Sequence, residues 1–181
     1  MPNFRRNYVP GGTYFFTLVT HLRRPILTTP LARRCLLKAL TVVRGRAPFE
    51  SVAVVLLPDH LHAVWTLPNG DADFSHRWRR IKERFTRSYL AGGGAEAEVS
   101  GRRAGRQERG VWQPRFWEHT IRDEDDFERC LAYVHYNPVK HGLVASPREH
   151  PWSTFRKFVG RGWYQPDWGA APVEVSGAEW D

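Results

Sequence analysis

The sequence predicts an α+β chain, and three observations lead there. Runs rich in β-branched and aromatic residues stand at 13–20, 51–57 and 60–67. Segments with apolar residues at helical spacing follow Pro30 and Asp73 and so alternate with those runs. A further helical pattern begins in the acidic run Asp123-Glu-Asp-Asp126, where carboxylates favour a helix N-terminus.

Taken in order, Thr13-Tyr-Phe-Phe-Thr-Leu-Val-Thr20 is a strand entered from the turn Pro10-Gly11-Gly12. Pro30 opens a helix whose Leu31, Cys35, Leu36, Ala39, Leu40 and Val43 share one face. Ser51 to Leu57 is a near-continuous apolar run suited to a central strand, Pro58-Asp59 turns the chain, and His60 to Leu67 returns as its hairpin partner. Asp73 is a suitable N-cap for a helix to about Leu90 with the stripe Phe74, Trp78, Ile81 and Phe85. Ala91 to Gly110 holds six glycines, four arginines and no aromatic residue, so a mobile loop is expected there. A turn and short strand occupy Trp112 to Ile121, and the next helix turns Phe127, Leu131 and Val134 inward. The order β-α-β-β-α-β-α has, in its first six elements, the split β-α-β pattern of a ferredoxin-like antiparallel sheet, with one additional helix. Residues 1–150 read as this domain. Residues 151–181, with Trp152, Trp163, Trp168 and Trp180 among Pro and Gly, read as an extended tail packed on it.

A chain of 181 residues suits one domain with appendages. Its two cysteines, Cys35 and Cys130, exclude a disulfide framework and any zinc site of three or four thiolates. No apolar run approaches the roughly 20 residues that span a bilayer, and the start lacks a secretory pattern, so no membrane partner and a cytoplasmic location are expected. The formal charge is +8, yet Gln165 to Asp181 carries four acids and no base, which leaves the body more cationic still. Such a field attracts polyanions, because neutralised phosphates release their counterions.

Candidate chemistry rests on two pairs. His60 and His62 are two apart on a strand, so both imidazoles leave one face while Leu61 leaves the other. An ordinary reading also stands: one ring closes a hydrogen bond at the strand entrance and the other lies in solvent. Tyr133 and Asn137 are one turn apart on the last helix. At about 100° per residue both fall on one flank of the inward stripe, leaning over the sheet edge, and Tyr136 falls opposite, in solvent. Tyr133 as a packing residue, and Asn137-Pro138 as the start of a separate turn to Leu143, are the ordinary readings of that pair. Together the four residues suit phosphodiester chemistry. A phenol attacks phosphorus when a divalent cation polarises the phosphate and holds it in line. Two imidazoles and an amide oxygen leave open positions and suit Mn²⁺ or Mg²⁺.

Four blocks resemble a known family: Asn3-Phe-Arg-Arg6 with Pro10-Gly-Gly-Thr-Tyr-Phe-Phe-Thr17; Leu57-Pro-Asp-His-Leu-His-Ala-Val-Trp65; Trp112-Gln-Pro-Arg-Phe-Trp-Glu-His119; and Tyr133-Val-His-Tyr-Asn-Pro-Val-Lys-His-Gly-Leu-Val144. They are similar to the REP-associated tyrosine transposases of bacteria, within the HUH endonuclease superfamily. The resemblance implies a ferredoxin-like catalytic domain in which His60 and His62 are the metal pair and Tyr133 is the single nucleophile on the added helix. Asn137 stands where related transposases have Gln, one methylene longer. It further implies cleavage and rejoining of single-stranded DNA beside imperfect hairpins, the REP-like palindromes, through a 5′-phosphotyrosine. A nucleoid-associated monomer is implied, with a dimer as the alternative, since related insertion-sequence transposases are dimers that exchange this helix.

The residues themselves offer a surface for such DNA. Arg77, Arg79, Arg80, Lys82, Arg84 and Arg87 lie along the second helix, and Arg5, Arg6, Arg23 and Arg24 flank the first strand. Phosphate contacts would supply affinity and aromatic rings such as Phe4, Trp78 or Trp117 would stack unpaired bases, although Trp78 also fits the core. His119 reads as structural. Two other functions stay open at this point: a hairpin DNA- or RNA-binding module without catalysis, and a metal-dependent hydrolase without a covalent step.

Overall fold

The computed structural model describes residues 6–173. Four strands, β1 (Thr13–Val19), β2 (Glu50–Leu56), β3 (His60–Thr66) and β4 (Trp117–Thr120), form one sheet in the order β2-β3-β1-β4. Every neighbouring pair is antiparallel. Since β1 and β2 both oppose β3, they run parallel to each other with β3 between them, which is the split β-α-β connection. Helices α1 (Pro30–Arg46) and α2 (Phe74–Ala91) cover one face of the sheet. Helix α4 (Glu124–Lys140) and the short α5 (Phe155–Gly160) cover the other.

The helix starts follow their caps. Thr29 accepts from the Ala32 amide and Pro30 sits where no amide partner is needed; Asp73 accepts from His76 and Asp123 from Asp126. The central strands β1 and β3 are buried on both faces. Tyr14, Phe16 and Leu18 meet Leu61, Ala63 and Trp65 in the α1/α2 layer, where Trp65 stacks on Trp78 with ring centroids 3.8 Å apart. Trp78 is thus core. On the α4 side, Phe15 and Val64 meet Cys130, Leu131 and Val134.

Several expectations are corrected. Arg77 is not a DNA contact: it is 4% exposed, forks onto Asp71, and donates to the carbonyls of Ala47, Pro48 and Asp73. It ties the end of α1 to the start of α2, a role its place in an arginine-rich run conceals. The segment 91–110, read from the sequence as a mobile loop, carries a short helix, α3 (Gly101–Gly105). Arg103 anchors it, reaching Glu108, His21 and the Trp112 carbonyl. Helix α4 runs through Pro138 to Lys140, so no separate turn begins there. Its buried face is Asp126, Cys130, Leu131, Tyr133, Val134, Asn137 and neighbours, with Phe127 only half-buried; the helix is rotated so that Tyr133 and Asn137 look into the sheet, not over its edge. Asp126, clasped by His119 of β4 at 2.8 Å, helps to set that rotation. The segment after 150 is not simply extended. It forms α5, and Trp168 packs on Tyr136 at 6.2 Å, so Tyr136 is half-buried rather than in solvent. Phe4, Arg5 and Trp180 lie outside the described residues.

Glu118 of β4 is 5% exposed and neither carboxylate oxygen has a hydrogen bond among the described residues; Arg6 stands 3.6 Å away. Burial pushes its carboxyl up to about 7, with Arg6 offsetting part of the rise.

Two measurements test these packing assignments. Arg77→Met should cost about 3 kcal/mol in urea unfolding, because Asp71 and three carbonyls lose their donor, whereas the exposed Arg87→Met should stay within about 0.5 kcal/mol. Glu118 is protonated when folded over a range in which the unfolded chain has released that proton, so stability falls as pH rises from about 4.5 to about 7. Glu118→Gln should remove that slope and be about 2 kcal/mol more stable than the parent at pH 8, with little difference at pH 4.

Candidate functional site

The pleat of β3 decides the site. Opposite Val19 and Thr17 of β1, His60 and His62 both emerge on the α4 face, their ring centroids 4.9 Å apart. Each ring is held from its Nδ1 side. His60 Nδ1–H donates to Asp59 Oδ1 at 2.6 Å, and His62 Nδ1 pairs with Thr17 Oγ1 at 2.8 Å. Burial alone would raise the Asp59 carboxyl, but His60 and Arg23, the latter at 3.0 Å, outweigh it and hold the group at about 2. Asp59 is therefore an anion at neutral pH, orienting His60 so that Nε2 faces away from it. This is the support that metal-binding histidines usually have on their second nitrogen.

Helix α4 brings up the rest. Tyr133 is 1% exposed, its ring edge-on to Phe15 at 5.8 Å and to His62 at 5.2 Å. Asn137 is fully buried, and neither its amide nitrogen nor its oxygen has a hydrogen bond among the described residues. A buried amide left so carries a desolvation cost of roughly 1–3 kcal/mol. A cation ligated by the amide oxygen would relieve part of it, and Asn137 stands one turn from Tyr133 and one from His141, whose rings meet those of His62 and His60. The donor set of two nitrogens and one oxygen fits Mg²⁺ or Mn²⁺ with open positions.

Two residues that sequence reasoning passed over also reach this site. His141, the C-cap of α4, lies with its ring 5.0 Å from that of His60. Lys140 donates from Nζ to Tyr133 Oη at 3.0 Å. The signal was available: Tyr133, Asn137 and His141 repeat every four residues, and Lys140 follows Tyr133 by two turns. All these groups belong to one chain.

A second cluster joins His119, Asp126 and Cys130. Asp126 also faces Arg122 at 3.3 Å and Arg129 at 3.5 Å, and burial with the Asp126 charge pushes the Cys130 thiol up to about 12. Two guanidiniums around one carboxylate repel a cation, so the cluster is a clasp between β4 and α4.

The proposed DNA-binding cations are spread differently. Arg23 borders the histidines through Asp59, and Arg24 donates to the Ala95 carbonyl. Arg6 lies over the Phe116 ring at 3.9 Å and bonds Ser75. Lys82 and Arg87 line a groove of 1230 Å³ between α2 and residues 96–116, with Arg79, Arg103, Trp112 and Phe116. Burial, with Arg103 and Arg6 nearby, lowers the Lys82 ammonium to about 8, and its Nζ meets the Gln113 and Pro114 carbonyls. Arg80 is exposed, pairing weakly with Glu83, and Arg84 is half-buried on the same helix. Among the described residues no helix is long and apolar enough to cross a membrane.

Comparison with known proteins gives a consistent picture. No family model matches the chain. It is 42% identical over 180 residues, 99% of this chain and 98% of the relative, to the REP-associated tyrosine transposase of Escherichia coli (strain K12). A relative from Haemophilus influenzae bearing the same family name is 38% identical over 172 residues, 95% of this chain and 96% of its own. A solved REP-associated tyrosine transposase bound to a REP hairpin superposes with a TM-score of 0.77 at 40% identity, covering 97% of this chain and 96% of that one.

The buried amide gives a test. With a chelator present, Asn137→Leu should be as stable as the parent or about 1 kcal/mol more so in chemical denaturation, since an apolar isostere replaces an unsatisfied group. A loss above 1 kcal/mol would show that the protein itself satisfies the amide.

Proposed function

Since this chain belongs to the REP-associated tyrosine transposases, we propose that it cuts and rejoins single-stranded DNA beside REP-like hairpins, with Tyr133 as nucleophile. The observation that carries the reading is the meeting of Tyr133 with His62, 5.2 Å between ring centroids, within one chain. A single copy thus contains the whole residue set, and we assign the activity to a monomer acting at the nucleoid.

In the cutting step Tyr133 Oη attacks phosphorus, the bond from phosphorus to the 3′-oxygen breaks, and the phosphate stays on the 5′ side as 5′-phosphotyrosine. The new 3′-hydroxyl strand leaves. Because one ester is exchanged for another, bond energy is conserved, and a 3′-hydroxyl rejoins by the reverse displacement. His60, His62 and Asn137 would hold a divalent cation, Mg²⁺ or Mn²⁺, which supplies Lewis-acid polarisation of the phosphate when bound. Asp59 and Thr17 keep the two imidazoles facing that position. The sheet beneath them is rigid, so orientation is set before DNA arrives. Arg6, Arg23, Arg24, Arg80, Lys82, Arg84 and Arg87 would contact phosphates and position the hairpin without reading its sequence. The hairpin named in the solved relative's complex supports that partner class.

Labelled hairpin DNA with a single-stranded flank, incubated with the protein and Mn²⁺ and run on a denaturing gel, tests the reading. A covalent protein–DNA band is expected. It should vanish with Tyr133→Phe or with a chelator, while a native-gel shift persists in the Tyr133→Phe protein. Cleavage by Tyr133→Phe at the parent rate would remove the nucleophile assignment; nicked DNA free of protein would point to simple hydrolysis, and binding alone to a non-catalytic module.

A further inference from the structure

Lys140 is exposed at the last turn of α4, yet its ammonium reaches back two turns to the buried phenol. Its Nζ lies 3.0 Å from Tyr133 Oη and 4.7 Å from the ring centroid. A cation near a helix C-terminus is ordinarily favoured by the helix dipole. That preference does not by itself aim it at a side chain seven residues earlier, and here the ammonium stands at the phenol oxygen. The contact gains its strength only when the phenol oxygen carries negative charge.

We propose that Lys140 is a catalytic residue, which stabilises the charge on Tyr133 Oη as that oxygen bonds to and departs from phosphorus. This rests on Tyr133 being the nucleophile. In cutting, the phenol proton passes to solvent, the Oη–phosphorus bond forms and the phosphorus–O3′ bond breaks, and the 3′-oxygen takes a proton from solvent. In rejoining, the 3′-hydroxyl gives up its proton, its oxygen bonds phosphorus, and Tyr133 Oη leaves, regaining a proton from solvent. Both directions pass through one transition state in which Oη is partly anionic, and a preplaced ammonium there lowers both barriers equally. The position also explains why a buried tyrosine serves. Its oxygen meets a fixed donor in place of shifting water, which must otherwise reorganise as charge develops.

Three consequences separate this role from a structural one. Lys140→Met should slow single-turnover formation of the covalent adduct about 100-fold, the usual scale for removing one donor from a developing oxyanion. Rejoining, started by adding a 3′-hydroxyl strand to purified adduct, should slow by the same factor, so the final ratio of adduct to joined strand does not change. The dissociation constant for hairpin DNA and the thermal unfolding midpoint should stay at parent values. Lys140→Arg, which keeps a cationic donor, should recover most of both rates.

Parent protein and Tyr133→Phe run alongside distinguish the two levels of the reading. If the parent forms adduct, Tyr133→Phe does not, and Lys140→Met matches the parent, the Lys140 role is wrong while the nucleophile stands. Loss of rate that saturating DNA restores, or a shifted adduct ratio, would equally overturn it in favour of DNA binding or product stabilisation. If the parent forms no adduct, or Tyr133→Phe still does, both proposals fall together.

Discussion

The register between β3 and β1 is the constraint on which the site depends. A strand's side chains alternate between faces, so pairing Thr17 with His62 sends both imidazoles toward α4 and sends Leu61, Ala63 and Trp65 into the α1/α2 layer. A slip of one residue in β3 would turn the histidines toward Trp78 and Phe16 and send Trp65 to the α4 face. The apolar layer is far too costly to invert, and its packing therefore holds the register. The histidines inherit their position from residues that take no part in chemistry.

Helix α4 meets that face with an unusual inner surface. Cys130, Leu131 and Val134 pack as a core helix does, but Tyr133 and Asn137 share the stripe. Asn137 lacks any hydrogen bond among the described residues, and Glu118 on the opposite side of β4 likewise has none. Neither serves folding. The rest of the structure absorbs their cost through rings such as Trp65, Trp78 and Phe16, whose stacking and burial make the α1/α2 layer the stabilising half of the molecule. One face of the sheet thus carries the larger apolar core, and the other combines a smaller core with the candidate site.

The arginines show where one-dimensional reading stops. Arg77, Arg80 and Arg84 look alike in a basic helical run, yet Arg77 is buried against Asp71 and three carbonyls. Net charge foretells a cationic body. It does not say which cations are bound inward, because that depends on where the turn after α1 leaves unmatched carbonyls. The same limit applies to 91–110: a glycine-rich composition suggests freedom, but Glu96 and Arg109 pair across the segment and Arg103 reaches His21.

By itself the sequence determined the order of the four strands and of the helices that begin at Pro30, after Asp73 and in the run from Asp123, the core stripe of α2, and the placing of His60 with His62 on one strand face. These follow from local rules, namely period-two and period-3.6 patterning and side chains that bond backbone a few residues away. Only the tertiary structure decided how far α4 rolls on the sheet. That roll places Tyr133 beside His62, covers Tyr136 with Trp168, and brings His141 to His60. It is set by Asp126 clasping His119 of β4 and by the tail packing on the outer side of the helix, contacts between separate elements whose geometry no local pattern encodes.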